Sequence, residues 1–133
     1  MIKKLFVAAI MFGLSGCSMF HHGRDSAPVY IAFFPYDSVK LTADARKVVD
    51  NAAAAARDTH PATIELAGYT ETTAAPSSRH FAEPRFTAVA EALIADGIDP
   101  KLLVRVPLPE SETVLSQTAD RRVEIRLVNK AMP

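Results

Sequence analysis

Arg122-Val123-Glu124-Ile125-Arg126-Leu127-Val128 sets Val, Ile and Leu at alternate positions, with Arg, Glu and Arg between them. A repeat of two is the repeat of a pleated strand, so one face of this stretch is apolar and the other charged. Upstream, Leu103 to Val106 reads as a further strand, and Thr63 to Ala67, following Pro61, alternates Thr63 and Glu65 with Ile64 and Leu66 as another. Val29 to Phe34 (VYIAFF) is a short apolar run rich in β-branched and aromatic residues that ends at Pro35, and it predicts a buried strand. Two helical patterns lie between these strands. Thr42 is placed to cap a helix running to about Arg57, whose Ala45, Val48, Val49, Ala52 and Ala56 form one stripe of a 3.6-residue period. The alanine run Ala52 to Ala56 favours helix and lets it pack closely on a sheet. Ala82, Phe86, Val89, Ala90 and Leu93 form a second stripe that stops at Gly97, a residue suited to the left-handed cap position. Pro84 leaves two starts open for this helix. It begins at Pro84, where proline is tolerated in the first position, or near Ser78, with an interior proline that loses a backbone hydrogen bond. The order is βαβαββ, an α+β chain.

The N-terminus carries a separate message. Lys3 and Lys4 precede an uncharged run from Leu5 to Leu14, and Ser15, Gly16 and Cys17 follow. This is the pattern of an export signal with a small-residue cleavage site. Ten helical residues span about 15 Å, roughly half a bilayer core, so the run is too short for a permanent membrane helix. Leu14-Ser15-Gly16-Cys17 resembles the bacterial lipobox, in which the thiol is acylated and the preceding peptide bond cut, and the single cysteine of the chain stands there. Ser18 occupies the place where aspartate would retain a lipoprotein in the inner membrane, so the resemblance points to the outer membrane. The expected organisation is a signal peptide over 1–16, the lipidated Cys17 and a tether over 17–28, one domain over 29–128 and a tail over 129–133. The tether Ser18 to Pro28 reaches at most about 35 to 40 Å.

Loss of the signal removes Lys3 and Lys4 and no acid, so a chain balanced at 15 basic and 15 acidic side chains keeps two more acids than bases. A nucleic-acid partner would call for a clustered basic surface and is not expected. With one cysteine there is no disulfide to form, and stability must come from packing. His21 and His22 lack the further ligands of a metal site, and neither His60 nor His80 sits in a nucleophile, zinc or phosphate-loop motif. No enzyme, metal or other cofactor is expected.

Several motifs, in order, resemble the OmpA-like peptidoglycan-binding domain. Tyr36-Asp37-Ser38 with Leu41-Thr42 is similar to the family's opening turn, and Gly68-Tyr69-Thr70-Glu71 stands where the family has Gly-His-Thr-Asp. Arg85, Val89 and Leu93 match the arginine and apolar stripe of its second helix. Gly97-Ile98-Asp99-Pro100-Lys101-Leu102-Leu103 matches the turn after that helix, and Asp120-Arg121-Arg122-Val123-Glu124-Ile125 its closing strand. The resemblance implies a two-layer sandwich, a mixed sheet packed against two helices, with loops at one end of the sheet forming a groove for the diaminopimelate of the peptidoglycan stem peptide.

A free amino-acid centre presents an ammonium beside a carboxylate, and its complement is an acid and a guanidinium able to make two parallel hydrogen bonds. By resemblance the acid is Glu71 and the guanidinium is Arg85. Thr70 adds a hydroxyl, Asp37 lies on the opening turn of the same groove, and Arg121 is a further candidate. Around this groove the sequence departs from the family pattern: Glu71 replaces aspartate, Tyr69 histidine and Ala74 glycine, the Glu71–Arg85 interval is one residue short, the loop asparagine is missing and Pro84 intrudes. Two functions follow. One is an outer-membrane lipoprotein that holds peptidoglycan non-covalently and ties envelope to wall. The other is a scaffold or assembly lipoprotein of an envelope machine, with protein partners, the same fold and a degenerate groove.

Overall fold

A computed structural model describes residues 27–69, 79–108 and 121–129. Within them the chain forms β1 (Val29–Phe33), α1 (Ala43–Thr59), β2 (Thr63–Gly68), α2 (Arg79–Ala95), a 3-10 turn (Pro100–Leu102), β3 (Leu103–Pro107) and β4 (Arg122–Val128). This is the βαβαββ order expected from the pattern. The strands make one sheet in the order β1-β4-β2-β3. β4 runs antiparallel to both β1 and β2, while β2 and β3 are parallel. The sheet is therefore mixed, and α2 is the crossover that the parallel pair requires. The last strand in the chain is inserted between β1 and β2, which is why its apolar face is so well covered: Val123, Ile125 and Leu127 are at most 2% exposed. Both helices pack on that face, α1 over β1 and β4 and α2 over β2 and β4. With Val49, Ile64, Val89 and Leu93 these residues form the centre of the core, each worth about 1.5 to 3 kcal/mol of burial.

Helix α1 begins where the sequence places it. Thr42 is the N-cap, its Oγ1 accepting the Ala45 amide at 3.1 Å, a contact worth about 1 kcal/mol. Ala45, Val49, Ala52 and Ala56 are buried as the stripe predicts, and Ala53 joins them. His60 closes the helix in a left-handed conformation and donates its amide to the Ala56 carbonyl. Helix α2 resolves the alternative at Pro84: it includes Arg79, and the proline lies inside it. Arg85 is therefore in the second turn, not the first, and the unfavourable dipole position does not arise. At the other end Gly97 takes φ 90°. Its amide bonds the Ile94 carbonyl and the Ile98 amide the Leu93 carbonyl, the paired closure that favours glycine there. Asp99 then accepts the Lys101 amide at 2.9 Å to start the 3-10 turn.

One expectation is corrected. β1 is an edge strand, not a buried one: Ala32 faces the core, whereas Val29, Ile31 and Phe33 are 38 to 48% exposed. An apolar run carries no sign of which face is covered when both faces are apolar.

Candidate functional site

At its C-terminal end β1 leads into a turn that returns the chain to α1. Phe34 is buried and extends the pairing with β4: its amide donates to the Arg121 carbonyl at 2.8 Å, and Arg121 Nε donates to the Phe34 carbonyl at 3.1 Å. The chain then folds over Pro35–Ser38, with the Ser38 amide donating to the Pro35 carbonyl at 3.3 Å. Asp37 takes φ 53°, a left-handed conformation that aspartate tolerates better than most residues. Tyr36, 59% exposed, and Asp37 face solvent, and the Arg121 guanidinium lies 5.9 Å from the Tyr36 ring centre.

Arg85 reaches this turn from α2 and lies beneath it. It is 3% exposed. Its Nε donates to the Ser38 carbonyl at 3.1 Å and one terminal nitrogen to the Pro35 carbonyl at 3.3 Å. The guanidinium also sits 5.0 Å from the Phe81 ring centre and 5.5 Å from that of Phe34, within cation–π range of both. Burial lowers its pKa, the neighbouring Arg121 cation lowers it further, and Asp37 partly opposes them. An arginine keeps its proton even so. Two cations and one acid are thus gathered at one end of the sheet.

Of the residues singled out by sequence, Asp37, Arg85 and Arg121 come together at the Pro35–Ser38 turn. Thr70, Glu71 and Cys17 lie outside the described residues. The plain alternative for Arg85, a solvated surface side chain, is overturned by its burial. Tyr69, at the family's histidine position, is turned away from this group. It packs with Ala67 and Leu108 on the sheet face opposite the helices, with the Arg122 guanidinium 5.5 Å from its ring centre. On that face Glu124 accepts from Arg122 at 2.9 Å and from Arg126 at 2.5 Å. Burial raises the Glu124 pKa, but the two arginine hydrogen bonds outweigh it and hold the carboxyl below its ordinary range.

Sequence reasoning missed the aromatic seat of Arg85. The signal was present in part, since Phe81 precedes Arg85 by four residues and so shares its face of the helix. Gly68 has a packing role: a Cβ there would meet Phe86 Cζ at 3.0 Å and Cε2 at 3.2 Å. Beside the turn, an open groove of about 380 Å³ follows β1 and the start of α1, lined by Phe33, Phe34, Pro35, Asp44 and Val48 among others. Arg85 does not line it. Among the described residues no cluster of His, Cys, Asp or Glu is arranged to hold a metal ion, and no helix is long and apolar enough to cross a membrane.

Comparison with family models gives no match, and comparison with curated protein sequences gives none. Solved structures do match. The OmpA-like domain of FopA1 from Francisella tularensis is 21% identical, with a TM-score of 0.60 over 73% of this chain and 69% of that one. The periplasmic domain of Helicobacter pylori MotB is 18% identical, with a TM-score of 0.58 over 80% of this chain and 76% of its own. The peptidoglycan-associated lipoprotein from Burkholderia pseudomallei is 17% identical, with a TM-score of 0.57 over 73% and 88%. At such identities the likeness is one of fold, and this chain has the OmpA-like fold.

Proposed function

We propose that the protein is an outer-membrane lipoprotein, anchored through Cys17, whose periplasmic OmpA-like domain binds peptidoglycan non-covalently through the diaminopimelate of the stem peptide and so tethers envelope to cell wall. The observation that carries this reading is the gathering of Asp37, Arg85 and Arg121 at one loop end of an OmpA-like fold. Two guanidiniums make that end attractive to a carboxylate, and Asp37 offers a carboxylate to an ammonium. Thr70 and Glu71 complete the set on this reading. The fold is shared with a protein named for its association with peptidoglycan, and the lipobox-like Leu14-Ser15-Gly16-Cys17 accounts for attachment to a membrane. The role is binding rather than catalysis.

The full chain, sedimented with purified sacculi, is expected to be retained saturably and released by a diaminopimelate-containing peptide. Cys17→Ser is expected to lose incorporation of labelled fatty acid and to leave the membrane fraction. A specific observation favours the scaffold alternative: Arg85 is committed to backbone carbonyls and 3% exposed. Absence of sacculus retention, with membrane anchoring intact, would establish that alternative.

A further inference from the structure

The run VYIAFF holds more apolar side chains than the core takes. The pleat sends Tyr30 and Ala32 to the helix side, where Ala32 is buried and Tyr30 packs against the core. Val29, Ile31 and Phe33 point to the opposite side and are 48%, 38% and 47% exposed. An antiparallel strand with one wet face ordinarily alternates apolar with polar residues. β4 does so, and its Arg122, Glu124 and Arg126 stand directly beside Phe33, Ile31 and Val29. β1, at the end of the sheet order, does not. Its apolar surface continues around its side into the groove that Ile31 and Phe33 share with Val48 of α1, the member of the helix stripe that the core leaves partly uncovered. Three side chains exposed to this degree present on the order of 250 Å², well short of the roughly 800 Å² per partner of a stable protein interface. The patch is too small to hold a protein by itself, but not to settle on a surface to which the chain is already tied.

We propose that the outer side of β1, formed by Val29, Ile31 and Phe33, rests on the lipid surface to which Cys17 anchors the chain. This depends on the lipoprotein reading given above. The tether ends at Pro28, so the strand that carries the patch is the first part of the domain after the anchor, and the tether's limit of about 35 to 40 Å keeps Val29 within that distance of the bilayer. Val104, at the opposite edge of the sheet, is also exposed, but three strand spacings, about 14 Å, separate it from β1. Between the two edges stands the charged column of Arg122, Glu124 and Arg126. Charged groups do not enter hydrocarbon without cost, so this column limits the contact to the β1 side and to the headgroup boundary. Docking by one edge gives the anchored domain a fixed orientation on the membrane in place of free rotation about its tether.

The chain has no tryptophan, so one introduced at the patch reports alone. The full chain, purified with its lipid, is reconstituted in vesicles of phosphatidylethanolamine and phosphatidylglycerol with plain or brominated acyl chains, and flotation checks that it stays with them. In Phe33→Trp the emission is expected to fall by about half in the brominated vesicles, as for a ring seated at the headgroup–acyl boundary. Ile94→Trp, at an exposed position on α2, is expected to keep its emission. Adding Ile31→Glu to Phe33→Trp is expected to remove the quenching while the chain still floats, since Cys17 is intact. Equal emission from Phe33→Trp in plain and brominated vesicles, in a chain that floats, overturns the proposal and leaves the anchoring reading standing. The same result with a doubled mass in detergent assigns the patch to a second copy of the chain and overturns the proposal as well. Should Phe33→Trp fail to fold, Val29→Trp, on the same side of the strand, decides by the same readout. A wild type that does not float refutes the anchoring reading itself, and the docking falls with it.

Discussion

Arg121 and Arg122 are neighbours in sequence and serve opposite sides of the sheet. Arg122 lies on the face away from the helices, where Glu124 accepts its Nε–H at 2.9 Å and Tyr69 stands beside it. Burial lowers its pKa, but Glu124 and Tyr69 more than compensate, and the net shift is upward. Arg121 lies at the turn, where it and the exposed Asp37 act in opposite senses on the buried Arg85. On the face away from the helices two guanidiniums, Arg122 and Arg126, hydrogen-bond the same carboxylate, Glu124. At the turn Arg85 is held instead by the Ser38 and Pro35 carbonyls. Cation count alone does not distinguish the regions; the neighbours of each cation do.

The comparison is broken most severely at Arg85. Arg85→Met keeps much of the aliphatic bulk but strands the Pro35 and Ser38 carbonyls, and it is expected to cost about 2 to 4 kcal/mol of stability in chemical denaturation. Stem-peptide affinity should fall about thirtyfold or more with the loss of the turn.

On the opposite face, Glu124→Gln leaves Arg122 and Arg126 without their shared anion and is expected to cost about 1 to 3 kcal/mol, with little change in ligand affinity. The pH dependence has a definite sign. The folded-state pKa of Glu124 lies below its ordinary value of 4.5, so its contribution is present above about pH 4.5 and is lost as pH falls through the depressed folded value. Melting curves across that acid range should fall more steeply for the wild type than for Glu124→Gln; parallel curves would mean that the ladder contributes nothing.

Gly68→Ala sharpens the boundary between the two regions, because the new methyl meets the Phe86 ring at 3.0 Å, one residue from Arg85. The ring must shift, and a loss of about 1 to 3 kcal/mol is expected, read as a lower denaturation midpoint with an unchanged slope.

Much of this architecture was legible in the sequence. β4 declared itself because its two faces differ in chemistry, and α1 because its stripe and its Thr42 cap agree. β1 did not, because Ile31 and Phe33 look as apolar as Ala32 and nothing local says which side the helices cover. In α2 the stripe named Ala90, which is partly buried, and omitted Ala92, which is buried; small residues give a weak periodic signal. Of the site, resemblance to the OmpA-like pattern brought Asp37, Arg85 and Arg121 into one list, and the fold brings them into one place. The depth of Arg85 was beyond sequence, since a charged side chain reads as surface until its carbonyl partners from a turn 47 and 50 residues away are seen.

The central claim is that the ligand meets the turn and not the outer face of the sheet. Backbone amide shifts of the ¹⁵N-labelled full chain, followed during titration with the diaminopimelate stem peptide, test it directly. The expected result is saturable shifts confined to Phe34–Ser38, Arg121, Thr70 and Glu71, with Ala67, Glu124 and Arg126 unmoved. Shifts centred on the outer face, or none at saturating peptide, would contradict it.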